Sequence, residues 1–251
     1  MRFTNGVPAS GQIVARRYLL HELIGAGDLG MVWRATDEVL GRTVAIKRLS
    51  GTEPPERLMR EARLASHVEH PRLLRVLDLV DEDGPWLVVQ YVDALPWSAL
   101  WLRRRIGARA AAQVAAQVAD ALAALHAVGL VHGDVTPDNV LVDKDGEVKL
   151  VDFGASHILG EGGEDGGDPG SRMTGTRDYR SPEVRAGAAA GPASDVYALG
   201  AMLRDAARSG GDALAPLLAA MLAATPADRP SAVTARDVLA AIAAGRPTTP
   251  P

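Results

Sequence analysis

Three glycines near the start of the chain restrict how it can fold. Gly25, Gly27 and Gly30 form the pattern G-x-G-x-x-G, which also occurs in dinucleotide-binding α/β proteins. In those proteins a helix follows the glycines, because its N-terminus holds the pyrophosphate. Here the next residues, "MVWRATD", read as a β-strand. We therefore expect a β-hairpin tip, either an ordinary glycine-rich turn or a loop whose backbone amides approach phosphates.

A lysine follows in the next apolar strand, at the end of the run "VAIK". Burial of Lys47 is costly unless a carboxylate or a phosphate compensates its charge. Glu61, in an amphipathic helix predicted over 56–68, is the natural partner, and Lys47 could then bridge it to the phosphates of a nucleotide. The alternative is a lysine at a strand end whose ammonium group reaches water. The glycine loop before it and Glu61 after it favour the nucleotide-binding interpretation.

The order of the remaining elements predicts an α+β protein with a β-rich first part and a mainly helical second part. Strands are expected over 16–49 and on either side of a turn at 81–85, and the chain is expected to cross to the helical part at 93–96. Further predicted elements are an Ala-rich helix over 108–127, two short strands around 144–146, and helices over about 193–209, 212–224 and 231–244.

Composition and charge exclude several classes of function. The chain has no cysteine, so disulfides, thiolate metal sites and cysteine nucleophiles are excluded. Its formal net charge of −4 gives no reason to expect nucleic-acid or anionic-membrane binding. No apolar run reaches the roughly 20 residues of a membrane span, and the first residues do not resemble a signal peptide. We expect a cytoplasmic protein without membrane contact in this chain. The Pro-rich ending is typical of the start of a linker, so we expect one domain of a longer protein, for which the cytoplasmic domain of a membrane protein is one alternative.

The motifs together resemble those of eukaryotic-type protein kinases, and bacterial Ser/Thr kinases are the nearest pattern. The resemblance covers about residues 16–244 and rests on "GAGDLGMV", "VAIK", "MREARLASHVEHP", "VVQYVD", "HGDVTPDN", "VDFG", "GTRDYRSPE", "SDVYALG" and "ADRPS". It implies a bilobal protein-kinase-like fold with the following parts: an N-terminal extension (1–15), an N-lobe and hinge (16–92), a C-lobe (93–244) and a tail or linker start (245–251).

The resemblance also implies chemistry that uses ATP and Mg²⁺. Asp134 would be the catalytic base, while Asn139 and Asp152 would ligate Mg²⁺ through oxygen atoms. Aspartates are also common in turns next to glycine and proline, which is the alternative for Asp134 and Asp152. Their joint occurrence with the glycine loop and Lys47 favours the catalytic interpretation.

Further residues receive roles from the resemblance alone. His132 would be a packing residue beneath Phe153, and Val89 would control access to the rear of the nucleotide pocket, although apolar residues in strands are usually only core. The residues expected to contact the nucleotide are Gly25, Ala26, Gly27, Gly30, Val32, Ala45, Lys47, Val89, Gln90, Val92 and Leu141, with the backbone of 90–92 bonding the adenine edge.

Two positions in the predicted catalytic loop depart from the family pattern. Gly133 replaces an arginine that, in regulated kinases, pairs with a phosphorylated activation loop. We therefore expect activity that does not depend on phosphorylation of Ser171, Thr174 or Thr176 through this contact. Thr136 replaces a lysine that reaches the γ-phosphate, so we expect slow turnover; its hydroxyl could orient a substrate.

The C-lobe departs from the family by a deletion. Only the end of one helix and one further helix fit between 198–200 and 227–231, so the typical αG region is expected to be missing. This puts ordinary docking of protein substrates in doubt. Glu183 and Arg229 are nevertheless present and would form a buried ion pair, and Asp195 resembles the residue that anchors the catalytic loop.

These observations give three hypotheses. The leading one is an ATP- and Mg²⁺-dependent Ser/Thr protein kinase with Lys47, Glu61, Asp134 and Thr136 at its catalytic centre, acting on an unknown protein substrate or regulatory partner. The second is a nucleotide-binding pseudokinase scaffold, suggested by Gly133, Thr136 and the missing helix. The third is a small-molecule kinase, suggested only by "HGD", which also resembles the loop of aminoglycoside-type and RIO kinases.

Overall fold

The computed structural model describes residues 8–27, 30–48, 68–82, 84–103, 106–151, 157–158, 179–207 and 213–246. The chain divides into two compact units. The first, here called the β unit, comprises Met1–Glu69 and Leu74–Val92, and the second, the helical unit, comprises His70–Leu73 and Asp93–Pro251. The helix predicted over 56–68, with Glu61, lies almost wholly outside the described residues, as do Asp152, Phe153, Ser171, Thr174 and Thr176.

The β unit contains an antiparallel sheet of six strands in the order β1-β2-β3-β4-β6-β5. The strands are Ile13–Val14 (β1), Tyr18–Gly27 (β2), Gly30–Asp37 (β3), Arg42–Arg48 (β4), Val76–Asp81 (β5) and Pro85–Gln90 (β6). The strands predicted on either side of the turn at 81–85 are thereby confirmed as β5 and β6. Alternating side chains point to opposite faces of such a sheet, so each strand contributes to two surfaces.

One face of this sheet carries the hydrophobic core of the β unit. Val44 and Ile46 of β4 are two residues apart and both fully buried, and they pack with Trp33, Trp86 and Val88 of neighbouring strands. β-branched and aromatic side chains suit this surface because they fill the space between pleated strands. The residues that alternate with them in β4, Ala45 and Lys47, therefore lie on the opposite face of the sheet.

A buried carboxylate fixes the base of the first long hairpin. Asp37, at the end of β3, is fully buried, and its two oxygens accept hydrogen bonds from Nε and Nη2 of Arg17, each at 2.8 Å. This bidentate pair lowers the pKa of Asp37 to about 2. Because Arg17 directly precedes β2, the pair ties the start of β2 to the end of β3.

The helical unit contains six α-helices among its described residues. They are Trp97–Arg103 (α1), Ala108–Ala127 (α2), Pro182–Arg185 (α3), Pro192–Ala206 (α4), Ala215–Met221 (α5) and Ala232–Ala243 (α6). Short strands form two small antiparallel sheets, one of Ala94–Pro96 (β7), Val140–Asp143 (β9) and Val148–Leu150 (β10), the other of Leu130–Val131 (β8) and His157–Ile158 (β11). The predicted helices over 193–209, 212–224 and 231–244 exist, but each is shorter than expected.

Small side chains bring the helices of this unit close together. Nine residues of α2 are buried, and six of them are alanines. This helix packs mainly against α6 and also against α4. At Gly200 of α4, an added Cβ atom would lie 2.8 Å from the Cβ atom of Met221 in α5, so the two helices approach too closely for any other residue.

The β-rich unit and the mainly helical unit confirm the predicted α+β, bilobal fold class. Among the described residues, no helix is both long enough and apolar enough to cross a membrane.

Candidate active site

The predicted catalytic loop lies between two short strands of the helical unit. It leaves β8 at Val131, passes through residues 132–136 without regular secondary structure and a 3₁₀ turn at Pro137–Asn139, and enters β9 at Val140. Proline at the first position of the turn suits it, because proline has no N–H to satisfy and its φ angle is already fixed. The loop residues 132–136 have no ladder partners of their own, so other groups must fix their backbone.

Asp195 of α4 supplies those partners. Its side chain is 2 % exposed. Oδ2 accepts hydrogen bonds from the backbone N–H of His132 and from Nε2 of His126, and Oδ1 accepts one from the backbone N–H of Gly133, each at 2.9 Å. Three donors on one buried carboxylate compensate its lost hydration. The expectation that Asp195 anchors the catalytic-loop backbone is confirmed.

Gly133 lies in the left-handed region of backbone conformation, with φ of +78°. The neighbouring N–H groups of His132 and Gly133 both point at the Asp195 carboxylate, which requires the chain to turn sharply at this position. A side chain at such a φ costs about 1–2 kcal/mol in a non-glycine residue. The glycine that departs from the family pattern is therefore well suited to the backbone of the loop.

Asp134 and Asn139 are brought together by the 3₁₀ turn. Nδ2 of Asn139 donates to the main-chain oxygen of Asp134 at 2.8 Å and to its carboxylate Oδ2 at 2.9 Å. These bonds orient the amide so that Nδ2 faces Asp134, and Oδ1 remains as an acceptor on the other side. Asp134 is only half-buried. Asp152, the second predicted metal ligand, lies outside the described residues.

His132 is a hydrogen-bonded core residue. It is fully buried; Nε2 lies 3.2 Å from the main-chain oxygen of Val151, and Nδ1 accepts from the N–H of Asp134 at 3.3 Å. Both contacts are satisfied when the ring proton is on Nε2. The predicted packing against Phe153 falls outside the described residues, but the contacts present show that His132 supports Asp134 from beneath the loop.

A buried ion pair lies close to the catalytic loop. The Arg229 side chain has no exposed surface, and its two terminal nitrogens donate to the two carboxylate oxygens of Glu183 at 2.7 and 2.8 Å. Arg229 also donates to the main-chain oxygens of Ala193, Ala223 and Ala224. The guanidinium group lowers the pKa of Glu183 to about 2. The predicted Glu183–Arg229 pair is confirmed.

The predicted phosphate loop is the tip of a hairpin in the β unit. Gly27 of β2 pairs with Gly30 of β3, which leaves two residues between the strands. A strand follows the glycines, so the dinucleotide-binding alternative, which requires a helix, is wrong. Gly25 pairs with Val32 in the same ladder.

Strand register places the other predicted nucleotide residues of the β unit on one face. Lys47 lies opposite Val32 of β3, and Ala45 lies opposite Val89 of β6. Ala45 and Lys47 are two residues apart in β4, so both pairs share the face that is opposite to the hydrophobic core. Val32 and Lys47 are half-buried on this face, while Ala45 and Val89 are buried.

The hinge segment can offer only part of its backbone to a ligand. The N–H of Gln90 donates to the main-chain oxygen of Arg75 at 2.9 Å. Of the predicted adenine-binding backbone of 90–92, the N–H of Gln90 is therefore already used within the β unit. In the helical unit, Leu141 is half-buried in β9, opposite Pro96 of β7.

Two polar residues that support the site were not predicted. His126, near the end of α2, contacts Asp195, and Ser194 donates to Oε1 of Glu183 at 2.9 Å. The only sequence signal for His126 was a polar residue in the apolar stretch "AALHA". Ser194 precedes Asp195, which was recognised only through the motif "SDVYALG". Glu61, predicted to pair with Lys47, lies outside the described residues.

Comparison with known proteins agrees with this geometry. The sequence model of the family described as "Protein kinase domain" matches residues 18–210. The Ser/Thr-protein kinase PknA of Mycobacterium tuberculosis is 36% identical over 205 residues, which are 77% of this chain and 47% of that protein. PksC of Streptomyces coelicolor is 35% identical over 210 residues (78% and 38%), and PrkC of Bacillus subtilis is 32% identical over 200 residues (77% and 30%). The chain thus spans less than half the length of these relatives. It belongs to the protein kinase family and, with these relatives, to the eukaryotic-type Ser/Thr kinases of bacteria.

Proposed function

We propose that this chain is the catalytic domain of a Ser/Thr protein kinase that transfers the γ-phosphoryl group of ATP to a hydroxyl group of a protein substrate. The observation that carries the proposal is the Asp134–Asn139 pair, in which Nδ2 of Asn139 holds the Asp134 carboxylate at 2.9 Å on a loop anchored by Asp195. Phosphoryl transfer depends mainly on positioning and charge stabilisation, so a firmly held carboxylate is the essential protein contribution.

Each side chain of the loop has a distinct task in this proposal. Asp134 accepts a hydrogen bond from the incoming hydroxyl, orients it and takes its proton as the phosphoryl group is transferred. Asn139, through Oδ1, and Asp152, through its carboxylate, would hold Mg²⁺, and oxygen ligands of this kind suit that ion. Bound Mg²⁺ supplies neutralisation of the phosphate charge. In the β unit, Lys47 would donate to phosphate oxygens beside the glycine hairpin, and the sequence predicts Glu61 as its partner.

One departure from the family pattern, at Thr136, predicts the rate of this kinase. Thr136 carries a hydroxyl where the family has a cationic side chain, so the reacting phosphoryl group receives less charge stabilisation. Turnover is therefore slower than in relatives with lysine at that position. This same observation favours a second candidate function, a nucleotide-binding scaffold with little or no transfer.

Incubation of the purified chain with radiolabelled ATP, Mg²⁺ and generic acceptor proteins distinguishes the two candidates. Asp134→Asn should abolish transfer, because the amide cannot accept the proton. Asp145→Asn is the matched control, since Asp145 is an exposed turn residue of the same unit and should leave transfer unchanged. Tight nucleotide binding without transfer by the unmodified chain would exclude the kinase in favour of the scaffold.

A separate prediction concerns regulation. Because Gly133 offers no cation to a phosphorylated activation loop, joint replacement of Ser171, Thr174 and Thr176 by alanine should leave the rate of transfer to an added acceptor within about twofold. The rate is measured under single-turnover conditions beside the unmodified chain. Loss of activity in the triple variant would show that a loop phosphate is required.

A further inference from the structure

Methionine carries all the sulfur chemistry of this chain. The sequence contains six methionines and no cysteine, so thioethers are the only sulfur groups that an oxidant can modify. Oxidation of a methionine to its sulfoxide is reversible, and it turns a flexible apolar side chain into a polar one. A methionine whose packing supports a functional site can therefore control that site.

Met31 is the one methionine among the described residues that is not fully buried. Met202 and Met221 have no exposed surface and lie within the packed helices of the helical unit. Met31 is half-buried in the β unit, so solvent reaches part of its surface. Susceptibility to oxidation increases with exposure, so a small oxidant should modify Met31 in the folded chain well before Met202 and Met221.

Met31 connects the glycine hairpin, residues 25–32, to the hydrophobic core of the β unit. Side chains alternate along β3, so Met31 shares a face with Trp33 and Ala35, which are both buried. Of the partly buried residues that the structure describes as packed against this core, Met31 is the only one in the hairpin. Its side chain therefore anchors the hairpin at the edge of the core.

The described apolar side chains near this end of the hairpin offer few other anchors. On β2, Leu23 and Ile24 are 46% and 45% exposed. On β3, Val32 belongs to the opposite face of the sheet, where it lies opposite Lys47. Loss of the Met31 contact should therefore loosen the hairpin at the residues that are expected to approach phosphates.

Oxidation of Met31 by hydrogen peroxide is a two-electron transfer of one oxygen atom. A lone pair of Sδ attacks one peroxide oxygen, so an S–O bond forms while the O–O bond breaks. The sulfur is oxidised and the peroxide is reduced. The proton of the transferred hydroxyl group passes to the departing hydroxide, which leaves as water. The sulfoxide is strongly polar, and its contact with an apolar core is costly.

We propose that Met31 is a redox modification site, at which oxidation by hydrogen peroxide releases the glycine hairpin from the core of the β unit and weakens the binding of ATP. The inference rests on the proposed kinase function and concerns the regulation of its nucleotide site. ATP affinity falls in proportion to the fraction of molecules whose hairpin keeps the binding conformation. A sulfoxide that leaves about a tenth of the hairpins in that conformation raises the Kd for ATP about tenfold.

The test treats the folded chain with increasing concentrations of hydrogen peroxide and locates sulfoxides by peptide mass spectrometry. Met31 should be oxidised while Met202 and Met221 stay reduced. The Kd for ATP, which is measurable by calorimetry whether or not transfer occurs, should rise about tenfold when Met31 is fully oxidised. Methionine sulfoxide reductases with dithiothreitol, whose two thiols supply the electrons, should restore it. Earlier oxidation of Met202 or Met221, or an unchanged Kd with Met31 oxidised, would overturn the inference.

Met31→Leu is the matched variant, because leucine has a similar volume and is apolar but cannot be oxidised. After the same peroxide treatment its Kd for ATP should stay within about twofold of the untreated value, although the other five methionines remain. Met31→Gln, which is polar and about as long as the sulfoxide, should raise the Kd about tenfold without any oxidant. An equal rise in Kd in the treated Met31→Leu variant would assign the effect to another residue and contradict the proposal.

A reduced chain that binds no ATP would refute the proposed kinase function, and the release of the hairpin is then decided without nucleotide. Hydrogen–deuterium exchange of the amides of residues 30–33 reports local opening of the hairpin. Faster exchange in the oxidised chain, together with unchanged exchange in the treated Met31→Leu variant, supports the release. Equal exchange rates in the oxidised and reduced chains refute it.

Discussion

In the β unit, Val32, Ala45 and Lys47 owe their common face to strand register. In the helical unit, side chains hold the loop: the buried Asp195 carboxylate holds Gly133, and the Asn139 amide holds Asp134. Register depends on many backbone hydrogen bonds, so one site side chain can change without disturbing the rest. The catalytic loop depends on a few polar contacts in a dry environment, and each is costly to lose. Site substitutions should therefore affect stability mainly in the helical unit.

The largest effect is expected at the ion pair of the helical unit. Arg229→Leu removes the guanidinium donors from Glu183 and from three main-chain oxygens, so the free energy of unfolding should fall by about 3–5 kcal/mol. Chemical denaturation followed by circular dichroism measures this. The control is Arg236→Leu, whose partially exposed ion pairs with Asp120 and Asp237 should contribute less than about 1 kcal/mol. Equal losses of unfolding free energy in the two variants would contradict the distinction between a buried and a partially exposed ion pair.

The second effect is expected at the anchor of the catalytic loop. Asp195→Asn keeps the shape of the side chain but replaces one of its acceptor oxygens by an NH₂ group. This group would then face an N–H donor of the loop or of His126, and that hydrogen bond would be lost. The unfolding free energy should fall by about 2 kcal/mol, and phosphoryl transfer should fall with it because the loop backbone shifts. Asp237→Asn, at an exposed carboxylate, should change neither quantity. A stable but inactive Asp195→Asn would show that the anchor positions the loop without stabilising the fold.

The difference between strand register in the β unit and polar contacts in the helical unit also explains which features could be predicted from the sequence. Alternating and helical patterns predicted the strands around Lys47 and the Ala-rich helix α2, because these depend on local periodicity. The hydrogen bonds of Asp195 join residues more than 60 positions apart, so their existence was inferred from the motif resemblance and not from periodicity. The positive φ of Gly133 and the contact of His126 with Asp195 could not be predicted from local periodicity, because both follow from tertiary structure.

A smaller effect is expected at Gly133. Gly133→Ala places a Cβ atom at a φ of +78°, which should lower the unfolding free energy by about 1–2 kcal/mol. Gly107→Ala is the control, because Gly107 has a φ of −69° and open space around it. Thermal unfolding of both variants gives the comparison. A Gly133→Ala variant as stable as the control would mean that the Asp195 anchor does not impose this backbone conformation.

The smallest effect on stability is expected at Lys47. Its strand position is fixed by backbone pairing of β4 with β3 and β6, which Lys47→Met leaves intact, so the unfolding free energy should change by less than about 1 kcal/mol. Phosphoryl transfer should nevertheless be lost, because methionine cannot donate to phosphate oxygens. Lys144→Met, at an exposed turn, should alter neither property. A loss of 2 kcal/mol or more in Lys47→Met would mean that the lysine stabilises the β unit as Arg229 stabilises the helical unit, and the contrast between the two units would not hold.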